Sequence, residues 1–265
     1  MADQKGFIKV KGTLGGLTFY EANRKDLIKT KGGIAKSRIE KEPNFKRTRE
    51  NMSEFGGSAK IGKALRTGFA NIIKIMSDSS AVGRITGMMK RINAVGPGIR
   101  GQRAFEILTN KLIIEGFEFN KFKHFESIFY APYPIPTLDA NRSVATWVVP
   151  DFNTSNYVAA PEGATHFKLL LISTVLSDYT YVVGKGYEPT NPTENEVNGI
   201  AESSEIAIGG MVGSDTTLTV DLGFAAALPG TVGVINAVGI IFYQEINTQF
   251  YELASDNAMR VEVVG

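Results

Sequence analysis

The chain has 265 residues, no cysteine, 28 glycines, 10 prolines, 43% hydrophobic residues and a formal net charge of +2. These are globular proportions, sized for one or two domains with a sizeable core. Without cysteine, disulfide scaffolds, Cys-ligated zinc, iron–sulfur clusters and thiol catalysis are excluded together.

The near-neutral total conceals a division. Residues 1–103 hold 22 Lys and Arg against 8 Asp and Glu, a net of +14, and residues 104–265 hold 7 against 19, a net of −12. A distribution this uneven bears on partners, other copies of the same chain included. Lys5, Lys9 and Lys11 interrupt any apolar run of signal-peptide length, so conventional secretion is not expected. The expected location is the cytoplasm or an assembled particle, with extracellular release left open. The longest weakly polar stretch, residues 228–243, contains Gly230, Gly233, Asn236 and Gly239. It is shorter than the roughly 20 residues of a spanning helix, and no membrane segment is expected.

In chain order, residues 6–33 read as a β-meander. Strands over 7–11 and 17–20 join through Gly15 and Gly16, a pair suited to a tight hairpin turn, and a polar turn at 23–26 leads to a third strand over 27–31. Ile8 and Val10 share one face and Lys9 and Lys11 the other, so the sheet displays a lysine row. Such a sheet is marginal alone. Three to four helices follow: residues 44–55 behind Pro43 and ended by Gly56 and Gly57; a second from Ser58 with Ile61, Leu65, Phe69, Ile72, Ile73 and Met76 on one stripe; residues 80–95 with Ile85, Met88, Met89 and Ile92 inward, broken at Gly96, Pro97 and Gly98; and residues 101–116 with Phe105, Leu108, Leu112 and Ile113 buried.

Past Gly116 the hydrophobic period changes from 3.6 to 2, and prolines cluster at 132, 134 and 136. Strands are expected over 127–131, 143–149, 166–174, 180–183, 205–208, 216–222, 232–243, 249–253 and 260–264, with 184–199 as an exposed loop. The fold class read here is α+β: a basic meander-plus-helices module over 1–116, then an acidic, immunoglobulin-like antiparallel β-sandwich over 117–265.

Lys5-Gly6-Phe7-Ile8-Lys9-Val10-Lys11-Gly12-Thr13-Leu14-Gly15-Gly16-Leu17-Thr18-Phe19-Tyr20, with Arg47-Thr48-Arg49-Glu50-Asn51-Met52-Ser53-Glu54-Phe55-Gly56, resembles a family of uncharacterised Bacteroidota proteins over about the first 120 residues. A looser likeness continues at Ala160-Pro161-Glu162-Gly163 and Phe242-Tyr243-Gln244-Glu245-Ile246-Asn247. The family has no established activity, so the resemblance implies no catalytic residue, only a basic module joined to a more variable β-domain.

Chemistry-bearing patterns are sparse. His124 and His166 are the two histidines, and neither is placed in sequence for a triad or a metal site. The glycines at 12–16 and at 184 and 186 lack the Lys-Ser/Thr and the following helix of a phosphate cradle and read as turns. Glu194 with Glu196 and Glu202 with Glu205 read as solvated loop acids. Calcium at Asp178, Glu188 or Asp215 has no supporting loop spacing. No cofactor, metal or small-molecule substrate is inferred, and an enzyme is not expected.

The strong signal is basic. Lys9, Lys11, Lys29, Lys31, Lys46, Arg47, Arg49, Lys60, Lys63, Arg66, Lys90, Arg91, Arg100 and Arg103 are the candidate contacts to another subunit or a polyanion. A positive first part and a negative second part in one chain suit a heterologous, head-to-tail contact that builds a filament, tube or shell. The alternative is a nucleic-acid-associated or phage-derived virion protein whose basic helices hold a phosphate backbone.

Overall fold

The structure, a computed structural model, describes residues 2–30, 32–254 and 256–265. Candidate residue Lys31 lies outside the described residues. Helices and antiparallel strands combine in an α+β chain of two compact units, Met1–Glu50 and Asn51–Gly265.

The first unit holds β1 (Ala2–Asp3), β2 (Gly12–Leu14), β3 (Leu17–Ala22) and β4 (Lys25–Thr30) in the antiparallel order β1-β4-β3-β2. The hairpin expected at Gly15 and Gly16 forms, with φ of 53° and 81°. The next turn is tighter than expected. Asn23 and Arg24 take φ of 52° and 60°, the two positive angles of a type I′ turn, so β4 starts at Lys25. The strand expected over 7–11 is not one. The Gln4 side-chain amide accepts from Val10 N at 3.0 Å and donates to Val10 O at 3.2 Å, and only residues 12–14 join β3. Helix α1 (Lys36–Lys41) and a 3₁₀ turn, Pro43–Phe45, follow. No described residue from 2 to 50 is buried.

Helix α2 (Lys46–Gly68) opens at the end of the first unit and continues in the second. It corrects the two helices expected on either side of Gly56 and Gly57. Both glycines stay helical, and the second is there for space: a Cβ on Gly57 would overlap the Tyr187 ring. Gly68 approaches Thr174 as closely, whereas nothing lies near a Cβ at Gly56. Gly57→Ala is therefore expected to lower stability by about 1–3 kcal/mol through overpacking. Gly56→Ala raises it by about 0.5–1 kcal/mol through helix propensity. Urea unfolding of the two variants checks the opposed signs.

Beyond α3 (Ile73–Met76), α4 (Ala81–Val95) runs as expected between Ser80 and Gly96. The strands are β5 (Thr137–Leu138), β6 (Val144–Val149), β7 (His166–Ser177), β8 (Tyr179–Val182), β9 (Gly186–Pro189), β10 (Asn198–Glu202), β11 (Ile206–Ala207), β12 (Thr216–Asp221), β13 (Val232–Ile246), β14 (Gln249–Glu252) and β15 (Ala258–Val264), with a one-turn α5 (Thr154–Tyr157). A six-stranded sheet in the order β10-β7-β13-β14 also takes β11 on β7 and β15 on β13; a three-stranded sheet runs β12-β6-β5, and β8 pairs with β9.

Strands β7 and β13 pair from Val232↔Ser177 to Tyr243↔His166 and are buried on both faces. Leu170, Ile172, Leu176, Ile235, Ala237 and Ile241 share one core with Ile61, Leu65, Phe69, Met76, Ile85, Met88, Met89 and Ile92 of the helical segment. On the alternate face, Phe167, Leu169, Leu171, Val234, Val238, Ile240 and Phe242 share a second core with Trp147, Val149, Leu218 and Val220 of the smaller sheet.

That shared first core corrects the boundary expected at 116, which falls inside the second unit: the helical stripes are buried on the sheet beyond it. The helix expected over 101–116 is also absent. Gly101 and Gly116 take φ of 92° and 78°, Phe105 bridges to Tyr179, and Ile107 N donates to Asp178 Oδ1 at 2.6 Å, leaving only a 3₁₀ turn at Lys111–Ile113. Leu112, expected to be buried, is exposed, and Ile107 and Ile114 are buried instead. Residues 127–131 supply one bridge, Phe129 to Val158, beside a 3₁₀ turn, Phe125–Ser127. The loop expected over 184–199 carries β9 and the start of β10, and its Tyr187 packs on Gly57.

Candidate functional site

The basic residues fall into a paired group and an unpaired group. In the first unit Lys11 Nζ reaches Glu21 at 2.5 Å, Lys9 lies 3.9 Å from Asp26, Lys29 sits over the Tyr20 ring, and Arg47 pairs with Glu50 at 2.8 Å. Arg49 donates to the carbonyls of Ile39 and Glu42 and so closes the end of α1. Lys46 is exposed. These cross-strand and (i, i+3) pairs are surface contacts worth little individually.

In the second unit, residues 51–103 contain nine Lys and Arg but only two acids, Glu54 and Asp78. Both acids are held by cations. Glu54, on the buried side of α2, accepts from Arg103 Nε and Nη2 at 2.8 Å each, from Lys90 Nζ at 2.5 Å and from Gly101 N at 2.8 Å. The Arg103 bonds, opposed by burial and aided by Lys90 and Gly101, bring its carboxyl down to about 2. The fork geometry of Arg103 is the strong form of this contact. For Asp78, burial works against ionisation, but bonds from Ser80 and Lys121 N and the charge of Arg84, 2.7 Å away, hold the carboxyl well below its usual range. Lys90 and Arg103, two of the candidate contacts to a partner or a polyanion, tie α4 and residues 101–103 to α2. Lys60 reaches Glu188 at 2.8 Å and the Tyr187 carbonyl at 2.6 Å, and Arg100 donates to Asn51.

What is left outward is Lys63, Arg66 and Lys74, with Arg91 exposed on α4. The first three line a shallow cleft of about 420 Å³ floored by Ala70, Ile73, Ala81 and Val82. Arg66 bonds the Gly62 carbonyl of its own helix, and among the described residues no carboxylate pairs with any of the three.

A larger cleft of about 840 Å³ between α4 and residues 112–118 brings Arg84, Arg91, Phe117, Glu118 and His124 together. Burial raises the Glu118 carboxyl to about 7, offset in part by a bond from Phe125 N and the charges of Arg260 and Arg84, while Glu262 pushes it further up. His124 Nδ1 lies 3.9 Å from it. Tyr133 donates to Glu262 at 3.1 Å in the same cluster, and Glu126 pairs with Arg260. Neither Glu54 nor Glu118 was singled out from sequence. Glu54 carried a signal, an isolated acid in a cationic stretch, whereas Glu118 is set against Arg260 and Glu262, more than a hundred residues away in the chain.

His166 opens β7, with Thr165 Oγ1 2.9 Å from its Nδ1 and Phe250 stacked edge-on. Glu202 and Glu205, read as solvated, flank Lys168 at 3.4 and 3.1 Å, and Glu202 lies in β10. Asp178, Glu188 and Asp215 take separate partners in Ile107, Lys60 and Asp151. Among the described residues no three His, Asp or Glu side chains are grouped as metal ligands, and no helix is long and apolar enough to cross a membrane. No family model, curated protein or solved structure matches the chain.

Proposed function

We propose that the chain is a non-enzymatic structural protein that self-assembles through head-to-tail contacts into a filament, tube or shell. The observation that carries this reading is the first unit. Its four-stranded sheet buries no described side chain and leaves Phe7, Ile8, Leu14 and Ile34 exposed. A sheet without a buried face is marginal in water, and exposed apolar side chains in number mark an interaction surface. The charge division supplies the direction: the first unit carries 13 Lys and Arg against 6 acids, and residues 104–265 are acidic. The finer architecture, an immunoglobulin-like sandwich, belongs to the same proposal. The two sheets enclosing Trp147 support it, while the helices on the outer face of the larger sheet are foreign to that architecture.

Sedimentation velocity and negative-stain microscopy across a salt series test the assembly. Species larger than the monomer are expected at low salt, with dissociation as the screening length falls from ~10 Å at 0.1 M toward ~3 Å at 1 M. A monomer at every salt concentration overturns the reading.

A second reading, binding to nucleic acid as a virion or nucleic-acid-associated protein, is favoured by one observation, the outward Lys63, Arg66 and Lys74 around their cleft. It predicts a gel shift whose log affinity falls with log salt by about 0.9 per phosphate neutralised. The same low-salt sample, freed of nucleic acid, separates the two readings: assembly without added nucleic acid supports the first, and a monomer that shifts duplex DNA supports the second.

A further inference from the structure

Two features left unpaired in the fold fit one another. The first is residues 6–11. They alternate Ile8 and Val10 with Lys9 and Lys11, the pattern of a strand with one apolar and one charged face, yet among the described residues they pair in no sheet. Phe7 is 96% and Ile8 67% exposed. Among the described residues, the two ends of the Gln4 amide bond the Val10 N–H and C=O as a neighbouring strand would.

The second feature is the edge of the six-stranded sheet at β14. Along that side of β13, the outer edge of β15 is covered: Gly116 N and Phe119 N donate to the Val261 and Met259 carbonyls, and Val261 N donates to Phe117 O. Among the described residues β14 pairs with β13 alone, and all four of its residues are exposed, Phe250 at 39% and Tyr251 at 55%. Alternate residues of an unflanked antiparallel strand aim their N–H and C=O groups outward, where another strand can add. The hairpin from Tyr243 to Glu252 carries Glu245 and Glu252 and no Lys or Arg, whereas residues 6–11 carry two lysines and no acid.

We propose that residues 6–11 of one copy add as a strand to the free edge of β14 in a second copy. This contact sets Ile8 and Val10 on the face that carries Tyr251 and Ile246, and Lys9 and Lys11, exchanging Asp26 and Glu21 of their own copy, on the opposite face with Glu245, Phe250 and Glu252. The backbone ladder supplies affinity, and the alternating pockets and charges supply register. Because donor and acceptor are different surfaces, the contact is heterologous and propagates. The inference rests on the self-assembly reading and names its interface.

The absence of native cysteine makes the test clean. Full-length Ile8→Cys and Tyr251→Cys, one of them 15N-labelled, are mixed at low salt and treated with a short bismaleimide, which tolerates a slip of one residue. Labelled–unlabelled pairs are expected at least tenfold above those from Ile8→Cys mixed with Val183→Cys, an exposed control on the β8–β9 hairpin. A full-length Val10→Pro variant, which also gives up the bond to Gln4, is expected to lose assembly while the melting temperature of the second unit, which holds the buried core, is unchanged. If the protein assembles but the two pairs crosslink equally, or V10P assembles like the parent, the strand contact is wrong and the assembly reading survives. If wild type is monomeric at low salt, both fall.

Discussion

Replacing Glu54 by Gln is expected to lower unfolding free energy at pH 7 by about 3 kcal/mol, the largest single effect in the helical region. The side chain is fully buried and accepts four hydrogen bonds from Arg103, Lys90 and Gly101. Its loss leaves two cations, each only partly exposed, without their counter-charge, and removing one member of such a buried group costs about 3–5 kcal/mol. The depression of the wild-type carboxyl points to the same size. Its folded value of about 2 against an ordinary 4.5, at about 1.4 kcal/mol per pH unit, corresponds to about 3 kcal/mol. The sign follows from the depression: unfolding takes up a proton between these values, so the stabilisation is full above pH 4.5 and is lost as pH falls toward 2. Urea unfolding of wild type and Glu54→Gln from pH 7 to pH 2.5 should therefore show two curves about 3 kcal/mol apart that converge in acid. Asp78, also depressed, leaves a smaller acid limb in both. Parallel curves over the whole range would place the acid sensitivity elsewhere.

The contrast between Gly56, Gly57 and Glu54 shows where the sequence could be read. Helix α4 was legible because its apolar spacing, Ser80 ahead of it and Gly96 behind it are all local. Strands β6, β7, β12 and β13 were legible by their apolar runs and turn signals. A Gly-Gly pair, by contrast, reads as a stop by local rules, and only the Tyr187 ring, 130 residues away in the chain, explains why Gly57 sits inside a helix. The segment from 101 to 116 fails for the same reason: its burial is decided by Tyr179 and Asp178. The charge division was visible, but not its internal assignment. Lys90 and Arg103 look like Lys63 and Lys74 in sequence, and only the placement of Glu54 sorts structural cations from outward ones. The basic patch open to a partner is thus smaller than the count of lysines and arginines implies. Residues 6–11 are the converse case, a strand pattern that the single chain does not use.

Glu118→Gln is expected to act in the opposite direction, stabilising the protein by about 2–3 kcal/mol at pH 8 and leaving it unchanged near pH 4. Burial holds the Glu118 carboxyl at about 7 against an ordinary 4.5, so between these values the folded state keeps a proton that the unfolded chain has released. Stability falls as pH rises through that window, by about 1.4 kcal/mol for each unit of separation. The groups facing it decide the size of the effect. Arg260 and Arg84 favour the carboxylate and Glu262 opposes it, and His124 Nδ1 lies 3.9 Å away. A glutamine keeps the acceptor for Phe125 N and carries no charge at any pH. Asp178, raised to about 6 by burial, adds a second decline between its ordinary 3.8 and 6 that persists in the variant. With Glu54 and Asp78 failing on the acid side and Glu118 and Asp178 on the other, wild-type stability should peak between the ordinary values of 3.8 and 4.5, at about pH 4. Glu118→Gln should shift that maximum upward, and Glu54→Gln should flatten its acid flank. Equal stability of Glu118→Gln and wild type at pH 8 would mean that Arg260 and Arg84 compensate the buried carboxylate in full.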